Sequence, residues 1–359
     1  MNKVNIEIIK PKSRISILDG FRTIAIISVI LYHYFFRWNN EKYPYFGGDY
    51  FHYGFKGVPF FFMISGFVIC YTLESTENFT AFWKKRFIRL FPSIVIASVL
   101  TYCFLLLFDN YNTFPDNHFR NLIISITFLP PNFYNLFSEI PSYFSYINYD
   151  YWSLWPEIQF YFLASAIYFA KRNNFKRNFI IICFALLLLY NVLLYFNIDQ
   201  IKYFEKAINF FNLIKHLSFF LSGALFYMLY KNKQNRLYVL LLAISFLFIN
   251  FTFILPEFVA SIIMFLLFFC FIYYPKFLRF LENRFFIKIG FSSYFLYLIH
   301  EYIGVVWIRN IVSFFYPNSF IAPILIIIVM IAFSIFYTQK AETRIAKYLH
   351  KRLLKRSNV

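Results

Sequence analysis

Charged residues are scarce in this chain. They make up 14% of its 359 residues, where soluble domains carry about 25%. No polar stretch is long enough to form a soluble domain, and 60% of the residues are hydrophobic. A chain of this length has no interior large enough to hide so much apolar surface, so an ordinary cytoplasmic enzyme is excluded. Disorder is excluded as well, because it requires low hydrophobicity and high charge. Cysteine is sparse: Cys70, Cys103, Cys183 and Cys270 lie in apolar runs without Cys-x-x-Cys spacing. They read as buried small hydrophobes. No metal box, phosphate loop or Gly-x-Ser-x-Gly elbow is present, and no short-period repeat.

What the chain has instead is aromatic and aliphatic runs near the length of a bilayer crossing. A quarter of the residues are Phe, Tyr or Trp. Ten apolar spans are expected, near 15–36, 57–73, 92–108, 153–170, 179–196, 209–230, 237–255, 257–274, 286–307 and 318–338. The first run is too long for a signal peptide and lacks small residues after it, so it reads as an uncleaved span. Basic residues exceed acidic ones by 35 to 17. With the N-terminus inside, 26 of the 35 fall in inner segments and 7 in outer ones. The positive-inside rule then places both termini in the cytoplasm and accounts for the net charge of +18 without nucleic acid. The longest polar excursion, 109–152, lies outside and holds an apolar patch, Leu122–Leu129, too short to span. The expected layout is a membrane domain over 1–340 and a basic cytoplasmic tail over 341–359. The tail, with Arg344, Lys347, Lys351, Arg352, Lys355 and Arg356, reads as an interfacial helix on anionic lipid.

Ionisable groups inside spans are costly and mark candidate sites. In the first span Asp19 and Arg22 stand three apart, able to pair on one helix face. Arg22 and His33 are eleven apart, which returns them to one face about 16 Å apart along the axis. The second span carries Ser65 and Gly66, small residues that permit close helix approach. Before Pro92, Arg86 and Arg89 present two guanidiniums suited to phosphate oxygens, or simply an inner-face charge cluster. The fourth span opens Trp152-Ser-Leu-Trp-Pro-Glu157-Ile-Gln-Phe-Tyr161, with Glu157 and Tyr161 one turn apart. Glu157 reads equally as a proton acceptor, a histidine's partner or a packing anchor. Ser293, Tyr297 and His300 share a face of the ninth span. Two levels follow: Arg22, Arg86 and Arg89 near the cytoplasm, and His33, Glu157 and His300 further out. Such a layout suits an anionic, phosphate-bearing donor held by arginines with its reactive end near His33, where a neutral imidazole takes a proton from an acceptor hydroxyl. His52, His118, His216 and His350 lack ligand spacing and read as structural or solvated.

These residues resemble the integral-membrane acyltransferase 3 family, which O-acylates cell-surface carbohydrates and other acceptors. The resemblance rests on five ordered elements. They are Leu18-Asp-Gly-Phe-Arg22 with His33, Gly57-Val-Pro-Phe-Phe-Phe-Met-Ile-Ser-Gly66-Phe, the Arg86/Arg89 pair, Trp152–Tyr161, and Ser293–His300. Departures are Pro59 where many members have Asp, Ile158 where many have a second Glu, and Thr23 for a common Gly.

The resemblance implies an all-α polytopic bundle of about ten spanning helices in a bacterial cytoplasmic membrane. It implies transfer of an acetyl or similar group from acetyl-CoA to a carbohydrate hydroxyl, with no metal. His33 and Arg22 match residues regarded as essential, and Arg86 and Arg89 match a pair linked to coenzyme A binding. The expected catalytic set is His33, Arg22, Asp19 and Glu157, with Arg86, Arg89 and Arg22 on the donor. Trp152, Ser65, Tyr161, Tyr297 and His300 are expected on the acceptor. The expected partners are a polysaccharide, its lipid-linked repeat unit or a glycolipid, and the bilayer. A transporter or flippase is the alternative for a chain of many spans with buried polar groups, and a glycan polymerase a third.

Overall fold

Each of the ten apolar runs is helical in the computed structural model, which describes residues 15–38, 48–140, 142–251, 254–311, 314 and 320–354. The helices are α1 (Ser16–Tyr32), α2 (Gly57–Leu73), α3 (Phe79–Phe108), α4 (Phe119–Ile126), α5 (Pro131–Asn135), α6 (Leu154–Ala170) and α7 (Phe175–Tyr195). They continue with α8 (Lys202–Phe210), α9 (Leu213–Lys231), α10 (Arg236–Ile249), α11 (Leu255–Tyr273), α12 (Arg284–Ile311), α13 (Ile321–Tyr337) and α14 (Thr343–Leu353). No strand occurs among the described residues. Eight helical segments are long and apolar enough to cross a membrane. The helices formed by the fourth and seventh runs, α6 with 17 residues and α10 with 14, are not among these eight.

α1, α2, α9 and α12 form the centre, and α7, α11 and α13 turn most of their apolar side chains outward. The closest approach joins α2 and α9. A Cβ on Gly66 would overlap the Phe220 carbonyl oxygen, and one on Gly223 would overlap that of Met63. Each backbone thus lies where the other has no side chain, as the small residues of the second span lead one to expect.

α3 departs from the expected boundary. It starts at Phe79, where the Asn78 side chain accepts from Ala81 N at 2.8 Å, and runs through the basic cluster with Pro92 inside. The expectation of a start at 92 followed hydropathy, but an amphipathic basic turn can extend a span beyond its apolar window. The cysteines also need correction: Cys70 and Cys183 are buried, whereas Cys103 is exposed and Cys270 half-buried on the outward faces. The 122–129 patch is helical only to Ile126, as the end of α4, whose eight residues pack on α3. The basic tail is helical to Leu353 and packs against α3. Residues 1–14, Lys42, Lys355 and Arg356, which entered the charge argument, lie outside the described residues.

α1 ends in a wider, π-helical turn, His33–Arg37. Such turns place one extra residue in the ladder and recur at functional sites. Here the turn begins at the histidine itself.

Candidate active site

A narrow cavity lies between α1, α2, α3, α6 and α12. It follows α2 from Val58 to Ile69, about 16 Å of helix. Arg22, Arg86 and Arg89 stand in its walls with Ser65, Glu157 and Tyr161, and Ser153, Ser293, Tyr294 and Tyr297 complete the polar lining. Arg22 Nη1 donates to Asp19 Oδ1 at 2.7 Å, and Asp19 is fully buried, so the i, i+3 pair forms as the spacing predicts. Arg86 is buried with its guanidinium 5.3 Å from the Phe82 ring and 5.6 Å from the Tyr161 ring. Its Nε donates to no partner among the described residues, a buried donor that an anionic oxygen would satisfy. Arg89 is exposed at the same end. Glu157 Oε1 accepts from Ser65 Oγ at 2.6 Å and from Tyr161 Oη at 2.5 Å.

One end of this cavity closes on a hydroxyl pair. Ser153 Oγ lies 2.9 Å from Tyr297 Oη, and both donate to the Asp150 carbonyl oxygen, at 3.1 and 3.0 Å. Behind them stands a second cluster. The Tyr297 ring packs 5.6 Å from that of His300, whose Nε2 is 3.1 Å from His33 Nδ1. His33 Nδ1 also meets Val29 O at 3.0 Å, and His300 Nδ1 meets Tyr297 O at 2.8 Å. A carbonyl only accepts, so both rings carry their proton on Nδ1. His33 Nε2 is then the basic nitrogen, and it faces two carboxylates: Asp150 Oδ1 and Glu301 Oε1, each at 3.5 Å. Asp150 Oδ2 is 3.4 Å from His300 Nε2. All four side chains are buried. Burial first, and then the neighbouring Glu301 carboxylate, push the Asp150 carboxyl well above its usual range.

The backbone around Asp150 is fastened to α12. Asn148 Nδ2 donates to Leu298 O at 3.2 Å while its Oδ1 accepts from Asp150 N at 3.1 Å. Tyr34 Oη donates to His300 O at 2.7 Å, pinning α1 to the same stretch. Beyond the histidines an aromatic cover closes the cluster: Phe114 stacks on Tyr302 at 3.6 Å, with Trp38 5.1 Å from Phe114.

The structure therefore brings together the arginine level with Ser65, Glu157 and Tyr161, and separately His33 with His300. Glu157 is bonded at the arginine level rather than to a histidine. His33 is buried in protein, yet it does not itself line the cavity; Tyr297 and Ser153 stand between. Trp152 is outside the cavity lining, its ring 5.3 Å from His216 and 6.3 Å from Phe62. His52 stacks on Phe36 at 4.2 Å, in keeping with a structural role. Sequence reasoning missed Asp150 and Glu301. Their signals were present, a carboxylate next to His300 and another two residues before Trp152, but neither shares a helix with His33. His33, Asp150 and His300 also bring one ligand atom each within 4.8 Å of one another, a spacing open to a small cation as well as to a proton.

A family profile described as "Acyltransferase domain" matches residues 15–338. The chain belongs to the acyltransferase 3 family. With the helices above, this makes it a multi-pass membrane protein. Among curated proteins it is 32% identical over 170 residues to a candidate peptidoglycan O-acetyltransferase of Bacillus subtilis, covering 43% of this chain and 24% of that protein. It is 29% identical over 162 residues to the peptidoglycan O-acetyltransferase OatA of Listeria monocytogenes, covering 42% of this chain and 23% of that protein. A candidate O-acetyltransferase of Staphylococcus aureus matches at 27% over 172 residues, 45% of this chain and 26% of that protein. The matched region thus spans about a quarter of these relatives. No solved structure matches the chain.

Proposed function

We propose that the protein moves an acetyl group from acetyl-CoA to a hydroxyl of a cell-wall carbohydrate, with peptidoglycan the first acceptor to test. The observation that carries this reading is the cavity, which leads from three arginines to the wall behind which His33 lies buried. The relatives' names support the acetyl group and the acceptor class. In this reading the chain crosses a bacterial cytoplasmic membrane about ten times with both termini inside. Residues 1–340 form the transferase body and 341–359 a basic tail on the inner leaflet. The arginine end then faces the cytoplasm. Arg86 and Arg89 hold donor phosphates, and Arg22, fixed by Asp19, takes a third anionic group or the thioester oxygen.

The chemistry balances simply. His33 Nε2 removes the proton of the acceptor hydroxyl, whose oxygen attacks the thioester carbonyl. The new C–O bond forms as C–S breaks, and the proton passes to the leaving thiolate. Glu157, Ser65, Tyr161 and Tyr297 line the path of the acyl arm, and His300 holds the His33 ring through Nδ1. Trp152, outside the lining, supports that wall from behind.

The test is thiol release from acetyl-CoA by purified protein in liposomes given peptidoglycan fragments, with acetylated sugar read by mass spectrometry. His33→Ala and Arg22→Ala each lower the rate by about 100-fold or more. Wild-type rates in either variant would remove that residue from the mechanism. Absence of donor-dependent thiol release with any wall glycan would reject the reading as a whole.

A further inference from the structure

We infer that the basic helix α14 forms one wall of a nucleotide site, a cleft beside the arginine end of the cavity that takes the phosphorylated adenosine of the donor. The identity of the ligand rests on the acetyl-CoA reading, but its binding can be measured without turnover.

The cleft is separate from the cavity. Ile88 of α3 and Phe291 of α12 form its apolar side. A helix that packs on its own protein normally turns an apolar stripe inward. α14 instead turns Thr343, Ala346, Lys347, His350 and Lys351 to the cleft, spaced i, i+3, i+4, i+7 and i+8. The spacing is that of a packing stripe, but its chemistry is cationic. The ion pairs that lysines make among the described residues engage Lys56 and Lys231, and neither Lys347 nor Lys351. Arg344, Tyr348 and Arg352 recur every fourth residue on another face, with Arg352 5.0 Å from the Tyr348 ring centroid. Lipid headgroups therefore have a basic surface of their own.

One residue joins the cleft to the arginines. A π-helical turn, Thr338–Glu342, carries α13 into α14. Glu342, at its end, lines the cleft and faces Arg89. Arg89 lines the cavity, while Ile88 beside it in the chain lines the cleft. A pyrophosphate held by Arg86 and Arg89 thus stands at the boundary. From there one arm of the donor enters the cavity and the other crosses α3 into the cleft. Lys347 and Lys351 lie five and nine residues beyond Glu342, about 8 and 14 Å along the helix. A second phosphate there meets ammonium groups rather than the carboxylate.

The chemistry selects the ligand. Two ammonium groups suit a phosphate monoester, which carries nearly two charges. Ile88 and the half-exposed Phe291 offer apolar and aromatic surface to a purine. The adenosine of coenzyme A supplies both, with its monoester on the 3′ oxygen. The common anionic phospholipids carry a diester and no base.

Calorimetry on the full-length protein in phosphatidylcholine nanodiscs tests the site, with adenosine 3′,5′-bisphosphate as the probe. The wild type binds it about ten-fold or more tightly than adenosine 5′-monophosphate. Lys347→Ala/Lys351→Ala removes that preference, and Phe291→Ala weakens both nucleotides alike. Absence of the preference from the wild type, or its survival in the double variant, overturns the proposal. Nanodiscs rich in phosphatidylglycerol leave the preference unchanged; its loss there gives the cleft to a lipid headgroup and overturns the proposal too.

Thiol release separates this site from the reaction. The wild-type KM is about ten-fold lower for acetyl-CoA than for its 3′-dephospho form, and the double variant treats the two donors alike. Thiol release with no such difference in the wild type leaves the acetyl-transfer reading standing and removes the site. The expected nucleotide preference without any thiol release upholds the site and removes that reading.

Discussion

At the scale of single residues the proposed function divides the site into groups that would bind charge and groups that would move a proton. Arg86 is the clearest of the first kind, because a buried guanidinium with an idle Nε is expensive until an anion arrives. A charge-assisted hydrogen bond is worth about 1.5–3 kcal/mol, so Arg86→Ala should raise the donor KM by about 10- to 100-fold with a smaller effect on kcat. Arg86→Lys should recover little of it, since the fork geometry goes even though the charge stays. Steady-state kinetics with acetyl-CoA varied would check both, and a fall confined to kcat would mean that Arg86 touches the reacting group instead of the phosphates. The residues on one helix were legible in sequence: Asp19, Arg22 and His33 follow from a period of 3.6, as do Ser293, Tyr297 and His300. Asp150 and Glu301 were not, because they meet His33 from a loop turn and from a different helix. Glu157 was visible as costly, but its bonding to Ser65 and Tyr161 depends on how α2 and α6 cross, which no spacing within α6 encodes.

At the scale of elements the frame is set by how near α2 and α9 come. Gly223→Ala places a methyl group against the Met63 carbonyl, and neither backbone can yield without moving its helix. Overpacking of this kind costs about 1–3 kcal/mol. The variant should unfold several degrees lower in detergent, monitored by thermal shift, and lose activity in proportion as the Ser65 side of α2 is displaced. An unchanged unfolding temperature would mean that the two helices have room to spare. Hydropathy found every apolar helix but misjudged α3, whose first turns are basic and aromatic. Window averages register lipid contact, and those turns leave the apolar layer while the backbone stays helical. The same averages do not distinguish α10, with 14 residues, from a full crossing.

For the whole molecule the proposed orientation is a statement about charge, and cysteine labelling reads it. In a background with the four native cysteines replaced by serine, Arg120→Cys should react with an impermeant maleimide on intact cells. Lys351→Cys should react only in inverted vesicles. The reverse pattern would turn the molecule over and put the arginine end of the cavity on the wrong side for a cytoplasmic donor. Basic residues carry this signal in sequence because the membrane itself sorts them, whereas the partition inside the protein has no such external reader.

That partition, the Ser153 and Tyr297 hydroxyls locked on one carbonyl, has an economic meaning for a cell. In the proposed reading, a thioester held among the arginines is separated from His33 until that hydroxyl pair gives way. Idle enzyme should therefore waste little coenzyme, and loosening the latch with Tyr297→Ala should convert a disciplined transferase into a leaky thioesterase.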